Sequence, residues 1–359
     1  MKIAIIGGGP VGCYAGYLLA KEGKEVSIYE NHAKIGAPIQ CTGILTSSFD
    51  QFNFPMEDYL VNTIDTIKVY SPKKKLEIKQ KDYIVCRTKF DQYFSKIAEK
   101  EGAKFFLNHT FVRKEGNDLV VVNEGKEKRV TADVVIAADG PLSSTAKAFG
   151  LYHEGRENYY GIQAVMEGNF EPNVIKTYFG SDVCPGLFAW VTPESQHLAR
   201  VGLAMKKNSR VFFEKFVEGR GWKVKEMQAG TIPLYHPKQK LKKGNCYVVG
   251  DASSYVKATT LGGIVPAFQQ VQITVDCILN GKDLYKEMKP LRKQMWTHLQ
   301  VQKIMEKFSD GDWDHLVGYV AQPKIQKVFE RYTRDNPIPL ISHVLLREPR
   351  FLRFLRYLF

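Results

Sequence analysis

The sequence lacks any CxxC pair and any cysteine–histidine cluster at zinc-ligand spacing. Its six cysteines, at 13, 41, 86, 184, 246 and 277, stand singly, and its eight histidines are scattered. A disulfide-stapled scaffold and a zinc ribbon are thereby excluded, and reduced thiols with no metal site are expected. Long apolar runs are also missing. Ile3 to Ala20 carry no charge, but Gly7-Gly8-Gly9-Pro10 breaks the run, so it is neither a signal helix nor a membrane span. No Ser–His–Asp or paired-carboxylate pattern supports hydrolysis. Lys and Arg are spread along the chain without a nucleic-acid-binding motif, which argues against a nucleic-acid partner.

What is present is an ordinary globular composition, 44% hydrophobic and 25% charged over 359 residues, enough to bury a large core without staples. The 51 basic against 38 acidic residues give a net charge of +13, which favours an anionic ligand or an acidic surface. Lys2 to Ile6 has the pattern of a buried strand, Gly7 to Gly12 of a tight turn, Val11 to Lys21 of a helix and Glu25 to Tyr29 of a second strand. This is a βαβ opening. Strands are predicted over 63–80, 105–112, 118–123, 126–131 and 133–137, with a helix over Phe90 to Lys100. Runs at 159–168, 174–180, 187–192 and 198–205 suggest one extended antiparallel sheet. A short buried strand follows at 245–249, then a helix from Ile264 to Leu279 stopped by Gly281. The rest of the chain is mostly helical.

The chemistry begins at Gly7-Gly8-Gly9-Pro10-Val11-Gly12. Gly7 permits the turn, Gly9 lets a pyrophosphate approach the backbone, and Gly12 lets the helix lie close to the strand. The helix start then offers unpaired N–H groups and partial positive charge to an anion. Glu30, at the end of the second strand, is placed to accept hydrogen bonds from ribose hydroxyls and disfavours a 2′-phosphate. FAD and NAD share this fingerprint. Two later elements choose between them: Val134 to Gly140 delivers an Asp139-Gly140 turn, and Val248 to Ala252 is followed by Gly262-Gly263-Ile264 at a helix start. A second acid, Asp251, so far along the chain suits a ligand that stretches across the domain. Non-covalent FAD is such a ligand, with adenosine at Glu30, ribityl at Asp251 and the charged edge of the reduced flavin at the Gly262-Gly263 helix start.

These motifs together resemble the FAD-dependent aromatic-hydroxylase-type superfamily. More closely, the chain resembles its geranylgeranyl reductase branch, which includes the archaeal digeranylgeranylglycerophospholipid reductases. The resemblance spans nearly the whole chain. It rests on Ile35-Gly36-Ala37-Pro38 with Cys41, Arg87 with Phe90-Asp91, the Asp139-Gly140 turn, Phe188-Ala189-Trp190 with Pro193, and Gly250-Asp251-Ala252 through Ile264. It implies FAD contacts at Gly12, Glu30, Cys41, Thr42, Arg87, Val112, Asp251, Gly263 and Ile264, with Arg87 near the ribose–phosphate region and the Val112 backbone near adenine. Three departures stand out. Leu261 replaces a glycine of the run before the last long helix, Trp190-Val191-Thr192-Pro193 lacks one aromatic, and Thr42-Gly43-Ile44 replaces a Gly-Glu-Gly run.

The resulting fold expectation is α/β. A discontinuous Rossmann-like FAD-binding domain (1–55, 81–150, 241–281) joins an antiparallel substrate-binding sheet (56–80, 151–240) and a helical C-terminal region (282–359). The implied activity is hydrogenation of carbon–carbon double bonds in geranylgeranyl chains of membrane-lipid precursors. A flavin monooxygenase of the same fold is the alternative. Phe188, Trp190 and Pro193 are the substrate-wall candidates, joined by Tyr178 or Phe179, and Cys41 is the catalytic candidate. No second dinucleotide fingerprint is present, so a ferredoxin-type protein or transient reduced nicotinamide would supply electrons. The closing run from Arg347 to Phe359 alternates arginine with apolar residues, which suits an anionic membrane surface and a cytoplasmic, peripheral location at the inner face of the cell membrane.

Overall fold

The computed structural model describes residues 1–358. The βαβ opening is present as strand Lys2–Ile6, helix Pro10–Lys21 and strand Glu25–Tyr29. These belong to a six-stranded sheet ordered 242–243, 246–248, 134–137, 2–6, 25–29, 104–106, parallel except at its first pair. Glycine sets how closely the first helix lies on this sheet. A Cβ on Gly12 would sit 2.0 Å from the Gly7 carbonyl oxygen, and one on Gly16 would sit 2.6 Å from Ile28 Cδ1.

Helices Pro10–Lys21, Arg87–Lys100 and Ile264–Asn280 pack together around buried aromatics. Phe268 is fully buried and stacks on Tyr14 with ring centroids 4.3 Å apart. Its truncation to alanine would cost about 3–5 kcal/mol. The Ile264–Asn280 helix ends at Gly281, whose φ of 64° a side chain would resist.

The second sheet has eight strands, ordered 223–233, 158–167, 198–205, 184–193, 174–180, 60–70, 75–85, 44–46. It is not wholly antiparallel as expected, because Val174–Gly180 runs parallel to Leu60–Tyr70. These strands are far apart in sequence, so no hairpin dictates their relative direction. The boundary drawn at 81 falls inside strand Lys75–Val85, and Ile44–Thr46, from the first nucleotide-binding segment, pairs with that strand. A three-stranded meander covers 110–115, 118–123 and 126–131. The single strand expected over 105–112 is two strands in different sheets, separated at Asn108, which has a φ of 57°.

The C-terminal region comprises helices Lys289–Met305, Asp310–Val320, Pro323–Arg331 and Pro337–Arg347, with the short helix Leu284–Glu287 before them and a 3₁₀ helix Pro349–Leu358 after them. No helix of the described residues is long and apolar enough to cross a membrane. The amphipathic tail differs from its expectation. Phe354 is buried against Phe308, and Phe351 packs on Tyr319. Arg350 bonds Glu348, Arg356 bonds Asp312, and Arg353 reaches the Tyr319 hydroxyl. The phenylalanines therefore face protein, and only Leu352, Leu355 and Leu358 face outward.

Candidate active site

A continuous cavity of about 900 Å³ runs from the carboxyl ends of the parallel strands into the eight-stranded sheet and on to the C-terminal helices. At the end beside the parallel strands lie Gly7 to Val11, Glu30, Asp139 and Gly140. Gly7 has a φ of 105° and passes so close to Ala138 that a Cβ would meet its carbonyl oxygen at 2.4 Å. The space over Gly9 is open, with nothing within 4 Å of a built Cβ. Glu30 is buried. Its Oε2 accepts from the Gly8 N–H at 2.6 Å, and Oε1 from the His32 N–H at 2.9 Å. The His32 ring nitrogen Nδ1 lies 2.6 Å from the same Oε1. A lone pair on Oε2 remains for a ribose hydroxyl.

At the cavity's centre are Cys41 to Ile44, Arg87, Asp251 and Gly262 to Ile264. Arg87 grips Asp91 through two hydrogen bonds of 3.1 Å. Burial pushes the Asp91 carboxyl up, against the pull of Arg87. Burial likewise pushes the Asp251 carboxyl up, with Arg87 and Arg156 pulling it down. Among the described residues no side chain or backbone N–H donates to the Asp251 carboxylate. The helices beginning at Pro10 and Ile264 both start at a glycine, without a side-chain cap or an acidic residue in the first turn. Two uncapped helix starts and an unpartnered, half-buried carboxylate, all on one cavity, fit a long ligand that carries both phosphates and hydroxyls, as FAD does.

The Cys41 loop is fixed from the sheet side. Arg200 donates to the Cys41 carbonyl at 2.8 Å and to Glu194 Oε1 at 2.6 Å. Thr42 Oγ1 donates to Gln163, and Gln163 to Gln228, at 2.8 and 2.7 Å. Phe188 and Trp190 line the cavity, as do Phe179 and Trp313, whose rings lie 4.4 Å apart. The indole N–H of Trp190 is buried without a partner.

Several expected contacts lie elsewhere. Val112 does not line the cavity; strand alternation turns its side chain outward, 43% exposed, while Phe111 points in. Pro193 ends its strand outside the cavity, where its carbonyl accepts from Asn62. Tyr178 stacks on Tyr70 on the other side of the sheet from Thr177 and Phe179, both of which line the cavity. Gly12 packs against the Gly7 turn rather than lining the cavity. Asp139 lines it, but its carboxylate bonds Ser143 and Thr145 at the start of the next helix. Leu261 lines it in the left-handed region, at a φ of 56°, and Thr42 and Gly43 also line it.

A charged joint in the cavity wall was not foreseen. Lys257, just before the glycine pair, bonds Asp335, which also accepts from Thr46. Arg334 grips the fully buried Asp82 through hydrogen bonds of 3.2 and 2.7 Å. The Lys257 charge and hydrogen bond, with Thr46 and Arg334, outweigh burial and hold the Asp335 carboxyl far below the usual range. Burial raises that of Asp82. His298, bonded to Thr259 at 2.8 Å, is held down to about 3 by burial and by Lys257, and is neutral.

Comparison with known proteins gives four concordant findings. Residues 5–64 match the family model of the NAD(P)-binding Rossmann-like domain. A structure from Thermoplasma acidophilum described as geranylgeranyl bacteriochlorophyll reductase-like superposes with a TM-score of 0.86 at 20% identity, covering 100% of this chain and 99% of that one. The digeranylgeranylglycerophospholipid reductase 2 of Methanothermobacter thermautotrophicus is 28% identical over 99% of this chain and 98% of its own. The digeranylgeranylglycerophospholipid reductase of Methanocaldococcus jannaschii is 30% identical over 88% of this chain and 89% of its own. With that identity, that coverage and the cavity described above, the chain belongs to the digeranylgeranylglycerophospholipid reductase family.

Proposed function

We propose that this protein is an FAD-dependent oxidoreductase that hydrogenates carbon–carbon double bonds of geranylgeranyl chains on membrane-lipid precursors. The observation that carries the reading is one cavity with two chemically different ends. Glycine turns, two helix starts and two acids run from one end to the centre, and apolar and aromatic side chains line the other end. Bound non-covalently across the first end, reduced flavin would supply hydride.

The protein's own residues do the rest. Glu30 and Asp251 accept from ribose and ribityl hydroxyls, and the helix starts at Gly9 and Gly263 receive anionic groups. Phe179, Phe188, Trp190 and Trp313 form a wall that excludes water and holds an isoprenoid chain, with aromatic faces that favour positive charge developing at an alkene. Cys41, in a loop fixed by Arg200, is the candidate to tune the flavin or hold a proton at Sγ. Electrons come from an external donor, either a ferredoxin-type protein or a reduced nicotinamide. The lipid is reached by peripheral attachment to an anionic bilayer, through outward-facing leucines and surface cations.

The test is mass spectrometry of lipid products after anaerobic incubation with dithionite and candidate prenyl lipids. Mass gains in steps of two hydrogens are expected. Oxygen consumption coupled to a reduced nicotinamide, with products heavier by one oxygen, would instead establish a monooxygenase.

A further inference from the structure

Away from the active site, a surface cleft of about 210 Å³ lies between helices Pro323–Arg331 and Pro337–Arg347. It is lined by Lys327, Arg331 and Arg347, with Val328, Tyr332 and His343 as its floor. Lys327 and Arg331 are four residues apart on one helix face, as are His343 and Arg347 on the other. Among the described residues none of the three cations has a carboxylate partner. Arg347 reaches only the His343 carbonyl, at 3.4 Å, and Arg331 lies over the Tyr332 ring.

Neighbouring cations behave differently. Lys324 and Arg350 both bond Glu348, Arg356 bonds Asp312, and Arg334 bonds Asp82. The polar floor supplies no countercharge either. His343 Nδ1 donates to the Pro339 carbonyl at 2.8 Å, so Nε2 is free to accept from the Tyr332 hydroxyl at 3.2 Å. Three converging cations around a concave, carboxylate-free cleft are complementary to an anion with several oxygens.

The surroundings say which anion. Leu346, beside Arg347, is 79% exposed, and Leu352 and Leu355 of the next helix also face outward. Exposed leucines on the same C-terminal helices as a cationic cleft match a bilayer surface, where phosphates and acyl chains lie side by side. The helix that carries Lys327 and Arg331 also carries Phe329 on the wall of the active-site cavity. From this we infer that the cleft binds the phosphate of a membrane lipid and so seats the C-terminal helices, and with them the apolar end of the cavity, on the bilayer.

The inference rests on the peripheral-membrane reading for the source of the phosphate. Its test is co-sedimentation of the full-length flavoprotein with phosphatidylcholine vesicles, with and without phosphatidic acid. The cleft variant carries Lys327→Gln, Arg331→Gln and Arg347→Gln. The control carries Lys104→Gln, Lys126→Gln and Lys223→Gln, which removes the same charge from exposed sites elsewhere. Apparent affinity for the phosphatidic acid vesicles should fall about tenfold or more in the cleft variant and less than about twofold in the control.

Equal losses in the two variants would reduce the effect to net charge and overturn the inference. Undiminished binding by the cleft variant would overturn the inference while leaving the peripheral-membrane reading intact. No vesicle binding by the unmodified protein would overturn both. In a second arm, inorganic phosphate is titrated calorimetrically; binding it tightly through the cleft, without vesicle binding, would make this a soluble-phosphate site and overturn the lipid assignment.

Discussion

Asp335→Asn tests the charged joint in the cavity wall. Lys257 and Asp335 are 5% and 6% exposed at the side chain, so bulk salt screens their interaction little. Asp335 is the one acceptor of the Lys257 ammonium among the described residues, and it also accepts from Thr46. Replacing the carboxylate by an amide keeps the shape but leaves a buried ammonium without its counterion, which costs about 3–5 kcal/mol. The paired change Lys257→Met with Asp335→Leu removes both charges and should cost about 2 kcal/mol less than Asp335→Asn alone.

Urea unfolding with saturating FAD, followed by tryptophan fluorescence, measures both variants. The pH dependence gives an independent check on the sign. The folded-state pKa of Asp335 lies below its unfolded value of about 3.9. Its stabilisation is therefore complete above about pH 4 to 5 and is lost as pH falls through the folded value. Asp82, raised by burial and further by the Asp335 charge, works in the opposite direction, and because the variant removes that charge it offsets part of the difference. The gap between wild type and Asp335→Asn should be flat from pH 7 to about 5 and should close in stronger acid. A gap under about 0.5 kcal/mol at pH 7, or one unchanged in strong acid, would refute the reasoning.

The other predictions address the cofactor, the strained turn, the substrate wall and the tail. Asp251→Ala removes a charge-assisted hydrogen bond worth about 1.5–3 kcal/mol and should weaken FAD binding roughly 10- to 150-fold in fluorescence titration of the apoprotein. Leu261→Gly should raise the unfolding midpoint, since a left-handed non-glycine residue costs about 1–2 kcal/mol, and an unchanged or lower midpoint would show that side-chain packing outweighs the backbone. Trp190→Ala should slow reduction of long prenyl chains more than short ones, and Cys41→Ala should keep FAD while changing turnover or the number of bonds reduced. Equal losses at all chain lengths, or identical product patterns, would return these residues to packing. Leu352→Ser and Leu355→Ser should weaken vesicle binding at unchanged stability, whereas Phe354→Ser should lower stability first, because only Phe354 is buried.

What was legible in the sequence follows physical locality. The Gly7 turn, Glu30, Asp251 and the Gly263 helix start could be found because a few neighbouring residues determine each one: a positive φ, a close helix–strand approach, a bare helix N-terminus. The Phe188–Trp190 strand was legible as a strand, and its aromatics do face the cavity. Pro193 was misplaced because it stands three residues past Trp190 on the same strand, an odd step that turns it to the opposite face, whereas the Val112 expectation concerned its backbone, which an outward side chain does not decide. Lys257, Asp335, Arg334 and Asp82 could not be paired at all. They come from a loop, an interhelical linker and a sheet strand that only the tertiary fold brings together. The one local hint was the Asp335-Asn336-Pro337 break between the last two α-helices. The tail's face was likewise undecided by its pattern, since the same repeat serves a docked helix and a membrane-facing one.

Under the proposed function, the joint would let one cavity serve two unlike ligands. Lys257, Arg334 and Asp82 line the cavity, and Asp335, itself off the lining, neutralises Lys257 as Asp82 neutralises Arg334. Any one of them unpaired would expose a charge to the path of a hydrocarbon chain, and burying such a charge is unfavourable. Paired, they form a wall with no net charge that a prenyl chain can pass. The same four residues tie the loop before the Ile264–Asn280 helix and strand Lys75–Val85 to the linker between helices Pro323–Arg331 and Pro337–Arg347. The helices that close the apolar end are therefore fastened beside the glycine-rich end. A substitution at Asp335 should then disturb chain positioning as well as stability, even though Asp335 belongs to none of the flavin motifs.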